Sequence, residues 1–451
     1  MDSAKPTHDK NDGHFLRPWQ DVTTLGETEW TFLENSRGVY VTDGEGNDIL
    51  DGPGGMWCVN VGYGREEIIE AVANQMRQLS YFSPWSMASS VTTALSQKLA
   101  ALAPGDLNNV FFTTGGSTAV DSALRFVFFY NNCLGRPEKK HIISRVNAYH
   151  GSTYLASSCS GKMPEKANMD MIEDTIHLLS CPKPKDKPKT QSMEAFCDEK
   201  VAELEDKILE LGSDRVAAFI AEPILASGGV IVPPDGYFKK CHAVCKKHDV
   251  LFIADEVVTA FGRLGHYFAS EDVFGIVPDM ITTAKGLTSG YVPMGALFIS
   301  DRLIDTIKSA SNESRNFVSG FTYSGHPVAA AAAMANLEIF EKENLLEHVR
   351  EITPYFEQKI RSLEDIPIVT DVRVKGLMAG VECELDQDNP DEVRDAEFLY
   401  TVDDICQAHG LLVRPVYNSC VMSPPLTITK PQIDDMVASL RIGLEQAYAQ
   451  L

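Results

Sequence analysis

Between Gly38 and Leu50 two short apolar runs, Val39-Tyr40-Val41 and Ile49-Leu50, flank the polar stretch Asp43-Gly44-Glu45-Gly46-Asn47. That pattern predicts a β-hairpin, because Asp, Gly and Asn supply the backbone angles a tight reversal needs. From Glu66 to Leu79 the apolar residues Ile68, Ile69, Val72, Met76 and Leu79 keep helical spacing, which predicts an amphipathic helix. The middle of the chain alternates short apolar runs with helical patterns. Val110–Phe112, His141–Ile143, Val216–Ile220, Val250–Ala254 and Met280–Thr282 are candidate buried strands. Residues 120–130, 194–211 and 236–247 read as helices between them. Strands alternating with helices predict a mostly parallel sheet with helical crossovers. Such sheets bind ligands beyond the carboxyl ends of their strands. Farther on, an Ala-rich helix runs from His326 to Phe340, with Pro327 at its start, and a second from Leu345 to Leu363. Ile368–Val381 and Gly410–Arg414 then read as strands of a smaller α+β unit. Residues 1–20 read as a mobile arm, and Pro182–Lys189 as a surface loop.

The 451 residues exceed the ~100–200 of one ordinary domain. The predicted organisation is an N-terminal arm and hairpin (1–60) that joins the small domain, a large domain (61–325) and a C-terminal small domain (326–451). A net charge of −23 repels phosphate backbones and anionic lipid surfaces, so nucleic acid and membranes are disfavoured as partners. The ten cysteines are scattered, with no zinc-type spacing; Cys241 and Cys245 are four apart on a predicted helix. Free thiols, a polar start and no bilayer-length apolar run predict a soluble cytoplasmic protein without a metal site.

Four places carry candidate chemistry. Thr113–Ala119, a Gly/Ser turn between a strand and a helix, can cradle an anion on its backbone N–H groups or can be an ordinary helix cap. Tyr149-His150-Gly151-Ser152 is either a satisfied turn or a flat ring placed to stack on a heterocycle. Asp255 ends an apolar run; its partner could be a metal, an arginine or a protonated ring nitrogen. Val257, two residues on, would share the side of an extended chain with it. Lys285 follows another apolar run and precedes Gly286; it is a surface charge, or a desolvated amine able to form a Schiff base.

In this order the motifs resemble the class III (omega) aminotransferases, pyridoxal-phosphate enzymes of fold type I. The resemblance rests on Thr114–Ala123, Tyr149–Ser152, Ala221-Glu222-Pro223, Asp255-Glu256-Val257, Phe261-Gly262-Arg263, Thr283–Gly286 and Phe321–Pro327, and runs from near Trp30 to the C-terminus. It implies an α/β large domain with a mostly parallel central sheet flanked by helices, plus a smaller α+β domain. It implies pyridoxal 5'-phosphate as cofactor, with Lys285 as the Schiff-base lysine and proton shuttle and Asp255 as partner of the ring nitrogen. Tyr149 and Val257 become the two covers of the ring, Gly116 and Ser117 the phosphate turn, and Glu222 a carboxylate near the cofactor. Thr322 matches a phosphate ligand supplied by the neighbouring subunit, which implies a homodimer or dimer of dimers with shared sites. Arg263 is expected in a structural ion pair.

The second glutamate that follows the Glu-Pro pair in the ornithine- and GABA-type branch is absent; Ser227 stands near its place. The run Leu411–Val416 resembles instead the omega-amine, beta-alanine and taurine:pyruvate branch. There an arginine at the place of Arg414 binds a keto-acid carboxylate and swings aside for amines lacking one; a surface ion pair is the plainer role. Trp57 and Trp85 are candidate walls of an amine pocket, although aromatics are more often core. The expected activity is a ping-pong transamination from an omega-amine or amino acid to a keto acid, pyruvate foremost. Aminomutase, racemase or decarboxylase chemistry on the same cofactor is the alternative, and a non-catalytic protein of the same fold the next. No Gly-x-Gly-x-x-Gly follows a first strand, which disfavours a nicotinamide dehydrogenase.

Overall fold

The computed structural model describes residues 13–310 and 315–451. At its centre lies a seven-stranded sheet in the order Asn109–Thr113, Gly295–Ile299, Met280–Thr283, Leu251–Asp255, Val216–Ala221, His141–Arg145, Ile176–Leu179. The last five run parallel, as the strand–helix alternation predicts. Gly295–Ile299 pairs antiparallel with both of its neighbours. It was not anticipated, although Gly-Ala-Leu-Phe-Ile is an apolar run, because it follows its predecessor through a loop rather than a helix.

Helices cover both faces of the sheet, so residues of both parities must be apolar. Phe219, Ala221, Phe252 and Ala254 enter one core cluster. Their strand neighbours Ala218, Ile220, Leu251 and Ile253 enter the other. Helix Gly116–Cys133 packs on one face, and the paired helices Met193–Leu211 and Tyr237–Lys247 lie on the opposite side. Cys241 and Cys245 are both buried in the latter.

The predicted hairpin is part of a small separate sheet, Leu33–Arg37, Tyr40–Asp43 and Asp48–Asp51, completed by Leu411–Leu412 from the C-terminal region. That last pairing is parallel, with Leu411 opposite Leu50 and Leu412 opposite Asp51, so the two ends of the chain meet in one sheet. A third sheet, in the order Val369–Val374, Ala379–Cys383, Ser419–Met422, Arg414–Val416, packs with helices Leu345–Arg361 and Glu392–Ala408, and helix Lys430–Tyr448 packs on both of them. Helix Pro327–Lys342 packs on helices Glu66–Gln78 and Ser90–Leu102.

The Pro/Lys-rich loop spans between units. Lys183 and Lys185 both reach Glu382, which is 1% exposed and also pairs with Arg373. Burial would raise the Glu382 pKa, but Arg373 and the two lysines outweigh it and hold it at about 2. Of the arm, residues 1–12 lie outside the described residues; residues 13–20 fold back, bringing the Trp19 ring to 6.3 Å from Tyr149. Among the described residues no helix is long and apolar enough to cross a membrane.

Candidate active site

Tyr149, Glu222, Asp255 and Lys285 all stand at or just beyond the carboxyl ends of parallel strands: His141–Arg145, Val216–Ala221, Leu251–Asp255 and Met280–Thr283. This is the edge where such sheets leave a crevice. A cavity of about 170 Å³ opens there, and its lining includes Gly116, Ser117, Tyr149, Glu222, Asp255, Val257 and Lys285. The structure thus brings together seven of the predicted residues, drawn from positions nearly 170 apart in the chain.

Asp255 forms the floor. Its Oδ1 accepts from Thr282 Oγ1 (3.0 Å) and from the Val257 N–H (3.2 Å), and its Oδ2 lies 2.6 Å from His150 Nδ1. An ionised carboxylate offers roughly four acceptor positions, so three donors leave one for the cavity. His150, 2% exposed, places its Nε2 3.1 Å from Ser144 Oγ. A carboxylate at Nδ1 selects the tautomer protonated there. In the sequence His150 stands out only as part of a motif; the one further signal is a histidine six residues beyond a strand serine, too weak without the fold.

Val257 reaches the cavity by a different route from the one expected. The strand ends at Asp255 and the chain turns, so Val257 arrives on a turn and not by strand alternation. Opposite it, a Cβ on Gly116 would lie 3.0 Å from Val257 Cγ1. Only glycine keeps that space open. Gly116 also begins helix Gly116–Cys133, whose first turn presents backbone N–H groups and the Ser117 hydroxyl to an anion. Ser117 Oγ accepts from the Ser152 N–H at 3.0 Å and keeps its own proton to donate.

Glu222 spends its carboxylate on backbone: Oε1 accepts from the Tyr149 N–H (2.9 Å) and Oε2 from the Ala226 N–H (3.1 Å). It ties Tyr149 to the loop that carries Ser227, and burial raises its pKa. Lys285 sits at φ 39° in the single turn after its strand. Burial lowers its pKa, against the pull of Asp255. A lysine so poised is more readily neutral, hence a base and a nucleophile.

Trp57 is 2% exposed and, like Arg414, stands behind the residues that line the cavity; its indole faces two cations, Lys285 Nζ at 5.5 Å and Arg414 Cζ at 4.9 Å from the ring centre. Arg414 is half-buried, which lowers its pKa, and no carboxylate lies within ion-pair distance among the described residues. Trp85 is 92% exposed and does not line the cavity. Thr322 is exposed too, its carbonyl accepting from Tyr81 Oη at 2.6 Å, and lies away from this chain's own cavity. Arg263 departs from its expected ion pair. It is fully buried and donates to the carbonyls of Leu377 (3.2 Å) and Pro424 and to Asn60 Oδ1 (2.9 Å), and burial brings its pKa to about 10. A second cavity, of about 400 Å³, shares Tyr149 and Gly151 with the first and is lined also by Trp19, Lys162, Glu165 and Met169; sequence reasoning missed it because the arm carries no periodic pattern.

The residues fit pyridoxal 5'-phosphate. An anion-binding helix start, a free carboxylate position, two apolar or aromatic walls and a depressed lysine converge on one slot whose width depends on Gly116. The comparisons with known proteins agree. Residues 24–443 match the family Aminotransferase class-III. The putrescine–pyruvate aminotransferase of Pseudomonas aeruginosa is 40% identical over 97% of this chain and 95% of its own. The mitochondrial gamma-aminobutyrate transaminase 1 of rice, Oryza sativa subsp. japonica, is 39% identical over 94% of this chain and 82% of its own. Among solved structures, an (S)-enantioselective omega-transaminase from Thermomicrobium roseum superposes with a TM-score of 0.92 at 37% identity over 96% of each chain. An omega transaminase from Pseudomonas jessenii in complex with PMP does so at 0.93 and 33% identity over 97% of each. This chain belongs to the class-III aminotransferases and is a pyridoxal-phosphate-dependent transaminase of fold type I.

Proposed function

We propose that the enzyme takes the amino group from a terminal amine and delivers it to pyruvate in a ping-pong cycle. Overall identity does not choose the donor, since relatives named for putrescine and for gamma-aminobutyrate stand at 40% and 39%. The observation that carries the reading is Arg414. It rests on the Trp57 indole 4.9 Å away with no carboxylate partner among the described residues, and the lining beyond Glu222 carries Ser227 where a second glutamate would be expected in the GABA-type branch. A guanidinium left uncommitted can take a keto-acid carboxylate by two parallel hydrogen bonds.

When bound, the cofactor supplies an aldehyde carbon for the amine nitrogen and a ring that stores an electron pair. This chain's residues do the rest. Lys285 Nζ, desolvated, would take the proton from the amine-bearing carbon and hold it for return. Asp255, oriented by His150 and Thr282, keeps negative charge beside the ring nitrogen. Gly116 and Ser117 would hold the phosphate, and Tyr149 and Val257 would cover the ring; Glu222 holds Tyr149 in place through its backbone. Trp57 walls the amine side.

The reading includes Thr322, which is exposed here and stands off this chain's own cavity, acting in the opposite subunit's site. It also includes a cytoplasmic homodimer or dimer of dimers, consistent with ten cysteines that are all free. An amine panel with pyruvate as acceptor, followed by alanine formation, tests the main claim. Alanine from terminal amines lacking a carboxylate is expected; turnover confined to another keto acid, with pyruvate inert, would reject it. For the shared site, Lys285→Ala and Thr322→Ala are mixed under subunit exchange. One intact site per heterodimer should restore activity, and none despite proven exchange assigns each site to a single chain.

A further inference from the structure

Apart from Trp57 itself, the segment Asp51-Gly52-Pro53-Gly54-Gly55-Met56-Trp57 is not used by the mechanism above, yet it carries the indole that faces both cations. Its backbone is unusual. Gly54 and Gly55 have φ of 61° and 66°, and Trp57 itself has φ 55°. For a bulky residue that region is strained and persists only where the surroundings impose it.

Two clamps impose it. On one side a Cβ on Gly54 would fall 2.4 Å from the Ser423 carbonyl, and Ser423 Oγ donates to the Pro53 carbonyl at 2.8 Å. On the other side is Asp51, 1% exposed. Its Oδ2 accepts from the Gly55 N–H at 2.6 Å and from Tyr63 Oη at 2.7 Å. Its Oδ1 has no partner among the described residues. A half-satisfied buried carboxylate costs stability, and burial raises its pKa accordingly. Asp51 is also opposite Leu412 in the parallel pairing, two residues before Arg414, and Ser423 follows the strand in which Val421 pairs with Arg414. The clamps therefore join the Trp57 turn to the chain on either side of Arg414: one beside the short strand Leu411–Leu412 just before it, the other at the end of the strand Ser419–Met422 that pairs with it.

We propose that Asp51 and Tyr63 form a latch that positions Trp57, and so sets the spacing between Lys285 and Arg414. Asp51 and Tyr63 are positioning residues. The inference rests on the reading of Trp57 as a wall of the substrate site. Tyr63→Phe removes one oxygen at nearly constant volume, Asp51→Ala removes the latch, and Asp51→Asn keeps an acceptor for both donors. The readouts are Trp57 emission in the holoenzyme, taken as the difference from Trp57→Phe because the chain has four tryptophans, and single-turnover affinities for pyruvate and for an amine lacking a carboxylate. Tyr63→Phe and Asp51→Ala should shift the Trp57 emission and weaken both ligands about fivefold to tenfold, the scale of one lost hydrogen bond. Asp51→Asn should recover most of both. Lower thermal stability with emission and both affinities at wild-type values would overturn the latch. Tyr63→Phe decides the matter alone if Asp51→Ala does not fold. Failure of the wall reading shows separately, as wild-type half-reactions in Trp57→Phe, and removes the latch with it.

Discussion

The floor of the site and its wall are built on different terms. Asp255 sits at a strand end, with donors from the next strand (Thr282), its own turn (Val257) and the loop after a third strand (His150), so its position follows from sheet register. Trp57 and Arg414 come from the N-terminal turn and the C-terminal strand, and Trp57 Nε1 and Arg414 Nε are buried without partners among the described residues. The floor's carboxylate is held by three donors, whereas the wall keeps two donors unpaired among the described residues. In the proposed reading the proton-transfer groups stand on the sheet, and recognition of the two substrates falls to segments outside it.

The largest expected effect tests the floor. Lys285→Ala should slow the amine half-reaction by at least ~10²–10⁴-fold, the scale of losing a positioned base, while pyruvate affinity stays close to normal. Turnover near wild type would move the chemistry off this edge altogether. Asp255→Asn comes next, at roughly 10²–10³-fold in kcat, the range for removing one preorganised electrostatic partner. Cofactor content should be retained, and a loss of only a few fold would make Asp255 structural.

The wall should respond unevenly. Arg414→Ala should weaken pyruvate and alanine by about tenfold to a hundredfold, since hydrogen bonds to a charged group contribute roughly 1.5–3 kcal/mol. The half-reaction with a neutral-tailed amine should change little. Equal losses in both halves of the cycle would erase the distinction between floor and wall.

The smallest effect on turnover is expected from Glu382→Gln, which lies in neither region. The Glu382 carboxyl is held at about 2 when folded, below the ~4.3 of a free glutamate. Its contribution, on the order of 3 kcal/mol, is fully present above pH ~4.3 and is lost as the pH falls through about 2. Denaturation midpoints of the variant and the wild type should therefore differ at neutral pH and converge in acid, with activity alike. A gap that persists at low pH would mean that packing, not charge, makes the difference.

Much of the site could be read from residue types because its parts follow apolar runs: Asp255 and Lys285 close strands, and Gly116 opens a helix. Position along a strand is local information, and the sheet converts it into a common edge. The route of Val257 could not be read, because where a strand stops depends on which neighbour continues the ladder. The strand Gly295–Ile299 escaped for a similar reason: a short apolar run becomes a strand only where a neighbouring strand is there to pair with it, and the loop before it gives no such signal. Arg263 was taken for an ion-pair member, yet carbonyls and an amide surround it; nothing in its own neighbourhood along the chain announces them.

By itself the sequence determined which groups are available and in what order: a lysine, a carboxylate, an aromatic and an anion turn, each tied to its own element by local propensity. Only the tertiary structure decided that His150 backs Asp255, that Trp19 folds over Tyr149, and that Trp57 lies between Lys285 and Arg414. Those contacts join segments up to several hundred residues apart. Such contacts depend on the packing of whole layers, which no local pattern of hydrophobic and polar residues encodes.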